Sequence, residues 1–158
     1  MKNKTLIIVI GILFAVSIFV FIKPKTNGYS SLDTLNEKVI FYKSITCGCC
    51  DLNANYLKSK GNFDVKISEK TEISDIKEKY GVPLELQSCH TAIIGGYFVE
   101  GHMPIEAINK LIEEKPNIKG ISLPGMPSGA PGMPGVKEGD LIIYSINNDG
   151  SYQEFMRI

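Results

Sequence analysis

Tryptophan is absent from this sequence, histidine occurs only twice, and neither charge prevails: 17 basic side chains face 17 acidic ones in 158 residues. That balance excludes the simplest kind of nucleic-acid binder, which needs a basic face to neutralise phosphates. Cysteine occurs four times. Four are too few for a disulfide-dense miniprotein, and their spacing is not that of two CxxC pairs. The length suits one domain of ordinary size. The apolar fraction of 44% averages two unlike parts. Of the first 22 residues, 16 are apolar and none is acidic, whereas the remaining 136 carry 15 basic against 17 acidic groups. The second part has the profile of an ordinary, slightly acidic globular domain.

Lys2 and Lys4 precede an uncharged run of 18 residues, Thr5 to Ile22. As a helix, rising about 1.5 Å per residue, it spans roughly 27 Å, close to the hydrocarbon core of a bilayer. Phe21-Ile22-Lys23-Pro24 is a poor cleavage site, and no cysteine near the end of the run offers a lipid anchor. The run has no polar face, which argues against a buried core helix. Residues 1–25 are therefore expected to form an N-terminal transmembrane helix that stays in place. A cleaved signal peptide is the alternative. The lysines on either side give only a thin positive-inside bias, from which the domain is placed outside the cytoplasm. Residues 26–37, polar and containing Asn27-Gly28, read as a tether. The folded domain is then 38–158.

Within it, Lys38–Lys43 (KVIFYK) reads as a strand. Cys50, Ala54 and Leu57 recur at i, i+4 and i+7, which predicts a helix from about Cys49 to Gly61. Phe63, Val65 and Ile67 alternate with polar residues as a second strand. Ile73, Ile76 and Tyr80 mark a second helix that Gly81-Val82-Pro83 stops. Thr91–Ile94 and Tyr97–Glu100 are short strands around Gly95-Gly96. Pro104 opens a third helix carrying Ile105, Ile108, Leu111 and Ile112. The order β-α-β-α-β-β-α predicts an α/β layer around a central sheet. Residues 124–135 hold four prolines and four glycines and exclude regular structure. Leu141–Ile146 and Tyr152–Ile158, joined through Asn147-Asn148-Asp149-Gly150, predict a C-terminal β-hairpin.

Every cysteine and histidine falls in one of three short clusters: Cys47-Gly48-Cys49-Cys50, Cys89-His90, and His102 beside Met103. The first sits where a strand gives way to a helix, and the unpaired N–H groups of a helix start favour the thiolate. A thiolate is both a metal ligand and a nucleophile. Met126 and Met133 lie in two copies of Pro-Gly-Met-Pro spaced seven residues apart. Thiolate and thioether favour Cu(I), and imidazole suits copper or zinc. Plainer readings exist for each cluster. Cys47 and Cys50 also form a CxxC pair of the redox type, or the four cysteines make structural disulfides. Each histidine can be a satisfied polar residue at a strand end. A methionine in a Pro/Gly loop can simply cover apolar surface.

Ile45–Cys50 (ITCGCC), Ser88–Ala92 (SCHTA), Gly96–Pro104 (GYFVEGHMP) and Leu123–Met133 (LPGMPSGAPGM) occur in that order. Together they resemble the bacterial domain of unknown function family 411, over about Lys38 to Ile158. Members of that family are described as metal-binding proteins and are linked to copper or silver resistance. The resemblance implies a thioredoxin-like core, in agreement with the β-α-β-α-β-β-α order. It also brings departures from thioredoxin-like enzymes. Leu84 to Cys89 separate Pro83 from His90 where a cis-proline would face the helix-start cysteine, and CGCC inserts a third thiol into the usual CxxC.

The expected function is therefore capture of a soft metal ion, Cu(I) first and zinc or another soft ion second, by a membrane-tethered domain. Its ligands would be Cys47, Cys49, Cys50, Cys89, His90 and His102, with Met103, Met126 and Met133 as possible additional donors. The expected partners are the metal, the membrane through residues 5–22 and a protein that exchanges the metal. The alternative is a thiol–disulfide oxidoreductase using Cys47 and Cys50, and a third reading is a disulfide-stapled tether domain.

Overall fold

Alternation along Lys38–Ser44 buries Val39, Phe41 and Lys43 on one side of the first strand, β1, and leaves Ile40 partly open on the other. The structure, a computed structural model, describes residues 38–158. The expected anchor over 1–25 and tether over 26–37 lie outside the described residues. Among those described, no helix is long and apolar enough to cross a membrane.

After β1 come helix α1 (Gly48–Gly61), strand β2 (Asp64–Lys70) and helix α2 (Ser74–Tyr80). A short 3-10 turn (Leu84–Leu86), β3 (His90–Ile94), β4 (Tyr97–Glu100) and helix α3 (Ile105–Glu114) follow. The β-α-β-α-β-β-α order read from the sequence is the order observed. Three strands complete the chain: β5 (Ile118–Ser122), β6 (Ile142–Asn147) and β7 (Tyr152–Arg157). All seven strands form one sheet in the order β2-β1-β3-β4-β5-β6-β7. The β1–β2 and β4–β5 pairs are parallel and the others antiparallel. The sequence reading missed β5, which carries the sheet from the αβ core to the expected hairpin of β6 and β7.

Period-two alternation divides the core between the two faces of the sheet. Val39, Phe41, Ala92, Ile94, Val99, Ile121 and Ile143 pack with Cys50, Ala54 and Leu57 of α1 and with Ala107, Ile108 and Leu111 of α3. On the opposite face Phe98 and Ile146 pack with Val82 and Leu86, beside α2 and the 3-10 turn. Tyr56 of α1 accepts a hydrogen bond from the Ile105 N–H at the start of α3, at 3.0 Å, which joins the two helices. Pro83 follows a trans peptide, as does every described residue.

Candidate metal centre

Termini of three adjacent interior strands meet at one end of the sheet. β1 runs into the Cys47 turn and α1, β3 starts at His90, and β4 stops two residues before His102. The sequence clusters are thus brought together by topology: a parallel β1-α1 unit sets the thiols beside the antiparallel β3–β4 hairpin. Cys47, Cys49, Cys50 and Cys89 place their sulfurs within 4.8 Å of one another, and Cys89, His90 and His102 do the same with their ligand atoms. Cys89 stands in both groups. Its sulfur lies 3.3 Å from His90 Nδ1 and 3.2 Å from His102 Nε2. Cys47 and Cys49 sulfurs are 3.7 Å apart.

Cys47 and Cys50 are joined in a disulfide, while Cys49 and Cys89 are free thiols. The cysteines expected as the alternative redox pair are therefore bonded, and in this state they are not available as thiolate ligands. The methionines behave differently. Met103 is a core residue at 1% exposure, Met133 packs at the edge of the main core, and Met126 is 55% exposed.

Two buried lysines secure the ligand-bearing turns. Lys43, at the end of β1, donates to Asp51 at 2.6 Å and to the Cys47 carbonyl at 3.4 Å, and it faces Glu69 at 3.3 Å. It holds the thiol turn onto the first turn of α1. On the other face of the sheet, Lys77 of α2 pairs with Glu100 at the end of β4. The Glu100 carboxylate also accepts from the Thr91 hydroxyl and the Ser88 N–H, each at 2.6 Å. Ser88 precedes Cys89, Thr91 follows His90, and Glu100 stands two residues before His102. With the Gly101 N–H donating to the His90 carbonyl at 3.1 Å, this cluster clamps the two ligand segments to each other. Burial raises the Glu100 carboxyl, against the ammonium, hydroxyl and N–H groups that favour its charged form.

Both imidazoles are buried. His90 stacks on Phe41 with ring centroids 4.4 Å apart and meets His102 edge-on at 5.0 Å. Burial first, then the neighbouring His102 and the Lys77 ammonium, hold His90 well below the usual imidazole range. Burial lowers His102 too, against the bond it makes to the Pro131 carbonyl. Burial, and then the Cys49 sulfur, push the Cys89 thiol up to about 11. At neutral pH the site therefore offers neutral imidazole lone pairs and a thiol that releases its proton on binding a cation.

The Pro/Gly/Met segment reaches this site. The Pro131 carbonyl lies 2.8 Å from His102 Nδ1 and accepts from Asn53 Nδ2 of α1 at 2.9 Å. Sequence reasoning missed Asn53, Lys77, Thr91 and Glu100. The available signals were a polar side chain within the apolar stripe of α1, beside Ala54, and a carboxylate ending the apolar run of Phe98 and Val99.

A family model described as a protein of unknown function, DUF411, matches residues 86–133, from the 3-10 turn through the Pro/Gly/Met segment. Two solved structures of the copper resistance protein CopG are similar to the chain. Form 2 shares 32% identity over 77% of this chain and 98% of its own, with a TM-score of 0.71. Form 1 shares 33% over 77% of this chain and 96% of its own, with a TM-score of 0.70. Comparison with curated proteins gives no match.

Proposed function

This chain belongs to the DUF411 family of copper-resistance-type proteins, and from that premise we propose that it binds a soft metal ion, Cu(I) before zinc, through its cysteine and histidine cluster. The observation that carries the reading is the position of Cys89, whose sulfur sits between His90 and His102 while sharing a 4.8 Å cluster with the three thiol positions of the helix start. Mixed sulfur and imidazole donors suit Cu(I) and also Zn(II). Cys49, Cys89, His90 Nδ1 and His102 Nε2 are the donors at hand. Reduction of the Cys47–Cys50 disulfide by a dithiol, which delivers two electrons and two protons, frees two more. The core strand order β2-β1-β3-β4 supports a thioredoxin-like scaffold. The hydrophobic run over residues 5–22 supports a tether that holds the domain outside the cytoplasm, where a metal-exchange protein would reach it.

Metal content and Cu(I) competition against a chromophoric chelator test this reading on the reduced protein. Expected is at least one Cu(I) per chain, with affinity lost in Cys89→Ser and in Cys47→Ser/Cys49→Ser. Unchanged affinity in both variants contradicts it.

A thiol–disulfide oxidoreductase is the second reading, favoured by one observation: the Cys47–Cys50 disulfide at the start of α1. An attacking dithiol would open that disulfide, and the reduced pair would pass its electrons to a substrate disulfide. Dithiol-dependent reduction of a test disulfide, lost in Cys50→Ser, would support it.

A further inference from the structure

Asn53 lies on α1 one turn beyond Cys50, and it is 1% exposed. A buried amide in an apolar stripe needs partners for its polar atoms, and its Nδ2 donates to the Pro131 carbonyl at 2.9 Å. The same oxygen lies 2.8 Å from His102 Nδ1. A carbonyl oxygen accepts and never donates, so the His102 proton must sit on Nδ1. Its Nε2 then carries the lone pair, and that is the atom 3.2 Å from Cys89 Sγ. Pro131 has no N–H and a fixed φ, which leaves the carbonyl as the one backbone polar group of that residue. The next residue, Gly132, has φ +84°, and a Cβ there would stand 2.8 Å from the Asn53 backbone nitrogen. The loop therefore meets α1 too closely for any side chain at that position.

We propose that Asn53 is a positioning residue for the metal centre: it holds the Pro131 carbonyl, which fixes the His102 tautomer and aims Nε2 at the ion beside Cys89. The inference rests on the soft-metal reading and assigns a role to the Pro/Gly segment that its methionines do not explain. Hydrogen bonding of the outer imidazole nitrogen fixes a ligand's tautomer and orientation, and loss of such a partner costs about 10–100-fold in metal affinity. Asn53→Asp is the discriminating variant, because it keeps the shape but replaces the donor amide with a carboxylate that repels the carbonyl.

The test has two arms on the full-length chain in detergent. In the metal-free protein at pH 8, imidazole nitrogen NMR shifts should show His102 as the Nδ1–H tautomer, and Asn53→Asp should convert it to a mixture. In Cu(I) competition, Asn53→Asp should weaken binding by about 10–100-fold and add nothing to the loss already caused by His102→Ala, since the two act as a unit. Gly132→Ala, whose Cβ would press on the α1 backbone at Asn53 and push the loop away while leaving the Asn53 side chain unaltered, should weaken binding in the same direction and serves where Asn53→Asp does not fold. An Nε2–H tautomer in the parent protein overturns the proposal. So does unchanged Cu(I) affinity in a folded Asn53→Asp variant, or losses that add to those of His102→Ala. Failure of the parent protein to bind Cu(I), with the Nδ1–H tautomer present and lost in Asn53→Asp, overturns the soft-metal reading and the metal role of Asn53 together while leaving the hydrogen-bond chain standing.

Discussion

His102 Nε2 lies 3.2 Å from Cys89 Sγ across 13 residues of chain. The contact exists because β3 and β4 pair antiparallel with Thr91 opposite Glu100, so the residues just beyond those positions meet at one end of the hairpin. Behind them the Lys77–Glu100 pair and Thr91 are buried, and in front the Pro131 carbonyl closes the outer face of the imidazole.

The buried ion pair should act as a unit. Lys77→Met leaves Glu100 buried without its cation and should cost about 3–5 kcal/mol of stability. The double variant Lys77→Met/Glu100→Gln should recover at least half of that loss, since no buried charge remains. Urea denaturation of the three proteins measures it. Strictly additive losses would show that the two side chains do not depend on each other.

Acid should destabilise the metal-free domain through its histidines. His90 is held well below its ordinary value of 6.5 by burial first, so the unfolded chain binds that proton and the folded one resists it. The stability this group contributes is fully present above pH 6.5 and is lost as pH falls through the lower folded value, at a slope of at most about 1.4 kcal/mol per pH unit. Denaturation midpoints between pH 5 and 8 should fall on the acid side, and His90→Gln should flatten the curve. A midpoint independent of pH in the parent protein contradicts the assignment.

Alkali acts on Cys89 in the opposite sense. Its thiol is pushed up to about 11 from an ordinary 9.0, so the folded state holds the proton longer than the unfolded one. That contribution is present below pH 9 and lost as pH rises toward 11. The same shift means that Cu(I) capture near neutral pH must expel the Cys89 proton. A pH indicator in weak buffer should record proton release on metal loading, smaller in Cys89→Ser than in the parent. Equal release by the two proteins would remove Cys89 from the ligand set.

Oxidation should lower metal capacity. Thiol titration of the denatured, unreduced protein should find two free thiols, Cys49 and Cys89, and four after reduction. Cu(I) affinity should rise on reduction, because Cys47 and Cys50 become donors. Equal affinity in both states would assign binding to Cys49, Cys89 and the histidines, without Cys47 and Cys50.

Much of this architecture was legible in the chain. The apolar spacing of Cys50, Ala54 and Leu57 and the alternation of Val65 and Ile67 gave α1 and β2, and the Asn147–Gly150 turn marked the hairpin. β5 escaped because Lys119 and Gly120 break its pattern. Gly120 is there for packing: a Cβ would collide with the Phe98 backbone oxygen on the neighbouring strand. The ligand clusters were visible as clusters, since soft donors are scarce and grouped. Their supports were not, because Lys77, Glu100 and Asn53 look like ordinary surface residues until the sheet pairing and the loop path bury them. The split of the thiols into one disulfide and two free groups depends on redox state as well as on spacing.

X-ray absorption at the copper edge of the reduced, Cu(I)-loaded protein tests the central claim most directly. The predicted shell is dominated by sulfur and includes imidazole scattering that weakens in His102→Ala. Sulfur scattering should fall in Cys89→Ser. A shell of light atoms alone, or a spectrum unchanged in both variants, would place the metal away from Cys89 and His102 and contradict the account.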